Sequence, residues 1–182
     1  MILQLRKTLS EPPPSCPLPE NVSVRPFQNE QDSRAWLDLR SLAFSRQKRG
    51  VQAWNLGDFE REFLEKAWWQ PTRMWLAEVP SVVCTTEQAA NPLGLLRPTL
   101  GRPQLVGTVT LAERVLEDET RYVLHWLLVA PRWRGQGIAT ALTAQLEAAV
   151  WDLGGRAVYL ETHVDWREAV ALYHKLGYEE FR

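Results

Sequence analysis

The chain has 182 residues, of which 45% are hydrophobic and 24% charged, and its formal net charge is −1 at pH 7. This balance is typical of one globular domain with a sizeable core. The near-neutral charge argues against a protein that coats nucleic acid, because such proteins usually carry a strongly basic face.

Cysteine usage and hydropathy exclude further classes. Cys16 and Cys84 are too few for a disulfide framework, and neither lies in a pattern typical of metal or redox sites, so no metal is predicted. No apolar run is long enough to cross a bilayer. The polar first residues also lack the apolar stretch of a secretory signal. The sequence therefore predicts a cytoplasmic protein with no membrane partner.

The N-terminal segment is marked by five prolines between positions 12 and 19. Proline removes a backbone donor and fixes φ, so such a stretch is a poor helix and a poor central strand. We therefore predict that residues 1–20 form an extended or disordered arm. Residues 21–182 are predicted to form a single domain.

The first half of that domain is predicted to contain two strands and two helices. Residues 22–27 alternate and then meet a proline, which favours a strand. Two helical patterns follow, with Asp32 and Asp58 as their predicted caps. Residues 73–79 are then predicted to form a strand, and residues 80–103 a long loop.

The second half is predicted to alternate strands and helices. Residues 122–129 are almost continuously apolar, which is typical of a strand covered on both faces. The predicted elements are strands over 105–115 and 122–129, a helix over 137–153, a strand over 157–162, a helix ended by Gly177 and a short strand over 178–182. This order predicts a mixed α/β or α+β sandwich.

The loop over 129–139 links the apolar strand to the helix that follows it. Gly135 and Gly137 remove side chains where backbone has to approach a ligand closely. The start of a helix leaves free N–H groups and the positive end of the helix dipole, which together favour a phosphate group. Arg132 and Arg134 add positive charge beside them.

Three phosphate-binding designs place glycines before a helix as this loop does, and two of them fit the sequence poorly. A Walker loop needs Gly-Lys-Ser/Thr, but Gly137 is followed by Ile-Ala. A dinucleotide fingerprint needs Gly or Ala where Thr140 stands, and too little chain follows Glu161, its candidate ribose ligand, to complete the sheet. The alternative to a phosphate-binding role is that the loop is a glycine-rich turn with no ligand.

The third design rests on a resemblance. Arg134-x-x-Gly137-x-Ala139 resembles the Arg/Gln-x-x-Gly-x-Gly/Ala motif of the GCN5-related N-acetyltransferase (GNAT) superfamily. Leu160-Glu161 and residues 169–178 resemble that family's fifth strand and fourth helix, most closely in the branch with ribosomal-protein N-terminal acetylases. The resemblance covers residues 104–182 well. It departs at Trp166, since that branch usually has an asparagine at this position ahead of its fourth helix.

The resemblance implies a mixed, mostly antiparallel sheet with helices on both faces. In the family, the fourth and fifth strands splay apart at a coenzyme A cleft, next to a bulge in the fourth strand. It implies acetyl-coenzyme A as co-substrate, held by main-chain contacts from that strand and by pyrophosphate contacts from the loop. The predicted cofactor-binding residues are Leu127, Leu128, Val129, Arg132, Arg134, Gly135, Gln136, Gly137, Ile138, Ala139 and Thr140.

Three residues are candidates for acid–base chemistry. By resemblance, Tyr173 is the proton donor to the departing thiolate and Glu161 is the base, acting directly or through water. His125 is the rival base, because the unperturbed pKa of imidazole suits proton transfer near neutrality. A buried packing role for Tyr173 and a solvated role for Glu161 are the alternatives.

The predicted reaction is transfer of the acetyl group from acetyl-coenzyme A directly to a primary amine of a small molecule or a protein. A catalytically inactive coenzyme A-binding module is the second hypothesis, and a nucleotide-binding protein the third. The basic stretch with Arg46, Lys48 and Arg49 fits either an acidic acceptor or a solvated loop. Little chain follows Tyr178, so we predict a truncated sheet edge or a homodimer that covers it.

Overall fold

A seven-stranded sheet with helices packed on both faces forms the body of the computed structural model, which describes residues 1–44, 52–80, 103–116 and 119–181. Most of the loop predicted over 80–103 lies outside the described residues, as do Cys84 and the basic stretch with Arg46, Lys48 and Arg49.

The strands agree closely with the predicted ones, apart from one that the sequence did not indicate. They are β1 (Ile2–Thr8), β2 (Ser23–Pro26), β3 (Met74–Val79), β4 (Gln104–Leu116), β5 (Glu119–Val129), β6 (Ala157–His163) and β7 (Glu179–Glu180). Their order in the sheet is β2-β3-β4-β5-β6-β1-β7. Every neighbouring pair is antiparallel except β5 and β6. The predicted mixed, mostly antiparallel sheet is confirmed.

The helices are α1 (Glu30–Phe44), α2 (Leu56–Phe59), α3 (Ile138–Asp152) and α4 (Arg167–Lys175). A π-helical turn, Glu60–Leu64, continues α2 directly. One core cluster joins the sheet to α1, α2 and this turn, and a second cluster joins the opposite face to α3 and α4. The helices therefore lie on both faces, as the resemblance implied.

Two predicted helix caps were wrong by a few residues. Asp32 lies inside the first turn of α1, where its carboxylate accepts from the backbone N–H of Gln28 at 2.8 Å. Asn55, not Asp58, caps α2, and Asp58 completes the reciprocal pair by accepting from the Asn55 N–H at 2.8 Å. Both corrections have the same cause: an acidic residue at the third helical position bonds back toward the cap and gives a similar sequence signal.

The first eight residues also differ from the expected arm. β1 lies between β6 and β7 in the sheet and pairs with β6 along its whole length. Leu3 and Leu5 point into the core, and Lys7 Nζ lies 2.7 Å from Glu147 Oε2 on α3. Residues 9–20 form no helix or strand. The prolines at 12–19 therefore interrupt the chain only after β1 has ended.

An ion-pair network holds β2 and β3 to α1. Arg25 forms two hydrogen bonds to Asp32, at 2.7 and 2.8 Å, and two to Glu78, at 2.6 and 3.0 Å. Burial by itself would raise the pKa of Asp32, but the hydrogen bonds from Arg25 and Gln28 lower it below its usual value. The network fixes the edge of the sheet against the first helix.

Two irregularities of β5 prepare the functional site. β5 pairs with β6 only through Tyr122 and Val123, so the strands separate beyond that point. The pairing with β4 shifts register between Thr108 and Thr110, which puts an extra residue into β5 after His125. Trp126, at this bulge, has a φ of 52°. Because β1 precedes the predicted strands, β5 and β6 correspond to the fourth and fifth strands of the family. The separated strands and the bulge that the resemblance implied are therefore both present.

Candidate active site

A cavity of about 1280 Å³ opens where β5 and β6 separate, and its walls come from β5, β6, α4 and the loop before α3. All three candidate acid–base residues, Tyr173, Glu161 and His125, line it. The predicted cofactor residues that line it are Leu127, Leu128, Val129, Arg134, Gly135, Gly137, Ile138, Ala139 and Thr140. Arg132 and Gln136 lie in the same loop but outside the lining, and the Gln136 side-chain amide donates to the Arg132 carbonyl at 3.1 Å.

The start of α3 presents free backbone donors to this cavity. The first N–H at this helix start that reaches a carbonyl is that of Ala141, which donates to Gly137 at 2.9 Å. In the described chain, the N–H groups of residues 138–140 therefore have no protein acceptor. Free N–H groups at a helix start, with the positive end of the helix dipole behind them, form a site suited to an anion.

Two glycines give the loop its shape. Gly135 has a φ of 75° and Gly137 a φ of 89°, so both occupy the left-handed region that other residues rarely adopt. A Cβ at either position would meet no protein atom within 4 Å. The backbone turn therefore requires the glycines, and the space that a side chain at either position would occupy is open.

Arg134 is held mainly by the protein. Its guanidinium donates to the carbonyls of Val129 and Ala43, at 3.2 and 3.0 Å, and lies 3.2 Å from a Glu168 carboxylate oxygen. These contacts join the end of β5, the end of α1 and the start of α4. The expected direct role of Arg134 at a phosphate stays a prediction, and the contacts give it a clear role in fixing the loop.

Tyr173 lies on α4 with only 7% of its surface exposed. Its ring meets that of Tyr178 edge to face, with the centroids 5.8 Å apart. In the described chain its hydroxyl has no hydrogen-bond partner. Burial raises the pKa of Tyr173 well above the usual value of a phenol. The phenol therefore stays neutral at physiological pH and keeps its proton available to a group in the cavity.

His125 and Trp126 share one acceptor that the sequence did not indicate. Glu62 Oε1 lies 2.8 Å from His125 Nε2 and 2.9 Å from the indole N–H of Trp126. The hydrogen bond from His125, opposed by burial and assisted by the indole, lowers the pKa of Glu62. Glu62 is therefore a carboxylate at physiological pH. Nothing in the sequence around it distinguishes it from its acidic neighbours Glu60 and Glu65.

Glu161 has a different environment on β6. Its side chain is about half exposed, at 46%. One carboxylate oxygen accepts from the Gln4 amide at 3.2 Å, and the other lies 3.8 Å from Arg114. The Gln4 contact comes from β1, the strand that the sequence did not predict.

A smaller cavity of about 260 Å³ adjoins the first on the side of α2. Arg114 and His125 line both cavities, while Glu62, Lys66 and Trp68 line only the smaller one. His125 therefore lies where the two spaces meet. This arrangement can bring two molecules together at β5 from different sides.

Trp166 stands just before α4, where the resembling branch has an asparagine. Its ring contacts that of Phe44 at a centroid distance of 5.6 Å, and both rings line the large cavity. This contact joins the end of α1 to the start of α4.

Among the described residues no group of three or more acidic, histidine or cysteine side chains is arranged to hold a metal ion. No helix in the described ranges has the length and apolar character needed to cross a membrane.

The sequence model of the Acetyltransferase (GNAT) family matches residues 49–178, more than half of the chain, so the chain belongs to that family. The family resemblance stated from the two motif blocks is therefore confirmed. The closer likeness to ribosomal-protein N-terminal acetylases stays a prediction.

Curated relatives carry the name mycothiol acetyltransferase. The protein of Pseudarthrobacter chlorophenolicus is 31% identical over 180 residues, which cover 96% of this chain and 48% of that protein. The protein of Paenarthrobacter aurescens is 32% identical over 165 residues, which cover 91% of this chain and 45% of that protein. The chain thus spans about half the length of the curated relatives it matches.

Solved structures share the fold at lower identity. A GCN5-related N-acetyltransferase from Sphaerobacter thermophilus has a TM-score of 0.70 and 23% identity, over 99% of this chain and 48% of that one. An aminoglycoside 6'-N-acetyltransferase from Acinetobacter baumannii has a TM-score of 0.57 and 19% identity, and the match covers 88% of this chain and 92% of that one. A chain of the NatC complex, solved with Gag peptide and CoA, has a TM-score of 0.56 and 16% identity, and the match covers 86% of this chain and 83% of that one.

Proposed function

We propose that this member of the GNAT family transfers the acetyl group of acetyl-coenzyme A directly to the primary amine of a small molecule. The observation that carries the proposal is the row of free N–H groups at the start of α3, at the mouth of a cleft that runs between the separated strands β5 and β6. The cleft is large enough for a long, flexible ligand, and residues 137–140 at the start of α3 are part of its lining.

The residues present fit coenzyme A. Main-chain N–H groups of the 135–140 segment would hold the diphosphate, and the loop glycines leave room for it. Beyond Val123, one edge of β5 has no strand partner among the residues that the structure describes, so its backbone is available to pair with the pantetheine arm. When bound, acetyl-coenzyme A supplies an activated thioester.

Tyr173 is proposed as the acid. Its phenol is neutral, lines the cleft and has no competing protein partner in the described chain. It is therefore suited to donate a hydrogen bond, and then its proton, to the sulfur that departs from the acetyl group.

The amine needs a base, because an unperturbed lysine-type amine has a pKa near ~10.4 and is mostly protonated at neutral pH. Glu161 is proposed for this role, directly or through water, since its exposed carboxylate lines the cleft. His125 is the rival, supported by its place between the two cavities. The variants Glu161→Gln and His125→Asn separate the two, because only loss of the true base removes the acidic limb of the kcat/KM profile.

The acceptor is proposed to be a small molecule because the curated relatives carry the name mycothiol acetyltransferase, which refers to a thiol compound. The adjoining cavity of about 260 Å³ is of a size to admit part of such a molecule, and it is lined by both acidic and basic side chains. A cytoplasmic location and a homodimer that covers the sheet edge stay predictions.

The decisive experiment is a thermal-shift measurement with acetyl-coenzyme A, NAD and ATP, followed by mass detection of acetylated amines. Mass detection is needed because an acceptor that carries a thiol would mask the release of coenzyme A in a free-thiol assay. Stabilisation by acetyl-coenzyme A with turnover of an amine supports the proposal. Stabilisation without turnover of any amine supports the inactive coenzyme A-binding module, and stabilisation by NAD or ATP alone contradicts both.

A further inference from the structure

The bulge in β5 has a support outside the sheet. Trp126 adopts a φ of 52°, a backbone conformation that a bulky residue keeps only when its surroundings hold it there. The ring of Trp126 packs edge to face against Trp36 and Trp54, at centroid distances of 5.5 and 5.0 Å. The Arg40 guanidinium lies 5.4 Å from the same ring. Packing therefore fixes the ring but leaves its indole N–H to be satisfied.

Glu62 accepts a hydrogen bond from that N–H and also binds His125, the residue just before Trp126 in the strand. Both contacts, to His125 at 2.8 Å and to Trp126 at 2.9 Å, end on the same carboxylate oxygen, Oε1. Successive side chains of a regular strand point to opposite faces, so one acceptor cannot reach two neighbours. The bulge turns both side chains to the α2 face, and the carboxylate joins them there.

The position of Glu62 depends on the π-helical turn that continues α2. In this turn the Glu65 N–H bonds back to the Glu60 carbonyl at 3.0 Å, five residues earlier. Phe59 and Phe63 are fully buried and hold the segment against the core. Phe63 also meets the His125 ring at 6.0 Å. Such single wide turns often occur at functional sites, and this one brings Glu62 to the bulge.

We infer that Glu62 is a positioning residue: its carboxylate holds the β5 bulge in the geometry that aligns the strand backbone with the thioester. The inference rests on the proposed function. The N–H groups at the start of α3 lie on a different segment, and in the part of the chain that the structure describes the hydrogen bonds of Glu62 go to His125 and Trp126. Loss of Glu62 is therefore expected to reduce kcat far more than the affinity for coenzyme A.

The test compares Glu62→Ala, Glu62→Gln and the matched control Glu65→Gln, an exposed residue next to the same turn. A misplacement of about 1 Å at reacting atoms can cost about 10²-fold, so kcat of Glu62→Ala is expected to fall about 100-fold while the coenzyme A Kd changes less than about threefold. Glutamine keeps an oxygen that both N–H groups can reach, but as a weaker neutral acceptor. Its kcat is therefore expected to fall less than about tenfold, with the pH profile unchanged in shape.

The indole N–H resonance of Trp126, assigned by its loss in Trp126→Phe, gives a readout independent of catalysis. It is expected to shift in both Glu62 variants and to stay in place in Glu65→Gln. An unchanged kcat in Glu62→Ala, or an unmoved resonance in either variant, overturns the inference. A Glu62→Gln variant as inactive as Glu62→Ala assigns Glu62 to proton transfer and also overturns it. If the wild-type protein turns over no amine, the proposed function fails, and the resonance still decides whether the carboxylate holds the bulge.

Discussion

The loop glycine Gly137 allows backbone strain and ligand binding to be measured separately. Gly137→Ala places a Cβ at a φ of 89°, and Gly154→Ala places one at a φ of 84°. Neither Cβ meets any protein atom within 4 Å. The two substitutions therefore impose the same kind of strain without a clash. They differ in place: Gly137 lines the cleft at the start of α3, whereas Gly154 follows the end of that helix, roughly 25 Å away at 1.5 Å per residue.

The expected cost in stability is the same for both variants. A left-handed conformation costs an L residue about 1–2 kcal/mol. For a chain of this length that corresponds to a fall in Tm of about 2–8 °C. Differential scanning calorimetry without ligand measures this common effect and makes Gly154→Ala the matched control.

The expected effect on ligand binding is confined to Gly137→Ala. Gly137 lines the cleft beside the N–H groups that are proposed to hold the diphosphate. A methyl group there is expected to interfere with the ligand, so we expect the acetyl-coenzyme A Kd to rise at least about tenfold, or about 1.4 kcal/mol. With ligand at 100 times the wild-type Kd, stabilisation should fall from about 2.7 to about 1.4 kcal/mol in this variant only. Equal ligand stabilisation in the two variants would refute the placement of the diphosphate at this loop.

Three further results are expected. Tyr173→Phe should lower kcat about 100-fold and leave Tm unchanged, since the hydroxyl has no hydrogen-bond partner in the described chain. An unchanged kcat in steady-state kinetics would contradict the proposal that Tyr173 is the acid. Asp32→Asn should lower the free energy of unfolding by about 1–2 kcal/mol at pH 7. This is less than the loss expected when a fully buried ion pair is broken, because the Arg25 side chain is 29% exposed and retains its ion pair with Glu78. The pKa of Asp32 is lowered in the folded state, so this stability is present above the unfolded pKa of about 3.9 and is lost as pH falls through the lower folded value. Urea denaturation of wild type and variant should therefore converge only below about pH 4, and a constant gap down to pH 2 would contradict the assignment. Leu5→Ala should lower the free energy of unfolding by about 2–5 kcal/mol, because Leu5 is fully buried in β1. A loss as small as that of Ile2→Ala, at an exposed position, would instead support an N-terminal segment that does not pack on the domain.

The sequence by itself was enough for features whose signals are local. Helical periodicity predicted α3 to within a residue at each end, because Gly137 and Gly154 bracket its apolar stripe. The loop before α3 carries its glycines, arginines and helix start within a few consecutive residues. The family could therefore be inferred from one short segment and a second block near the end of the chain, and the same segment led to the prediction of a phosphate site.

Tertiary structure decided the features whose partners are far apart in the chain. β1 is a short strand with no neighbouring turn partner, and it forms because it pairs with β6, more than 140 residues away. Glu62 is one carboxylate in a run of charged residues until the π-helical turn and the bulge bring it to His125, 63 residues later. A sequence pattern records how a residue suits its own helix or strand. The contacts that position β1 and Glu62 depend instead on how separate elements pack, and packing is specified by the whole core at once.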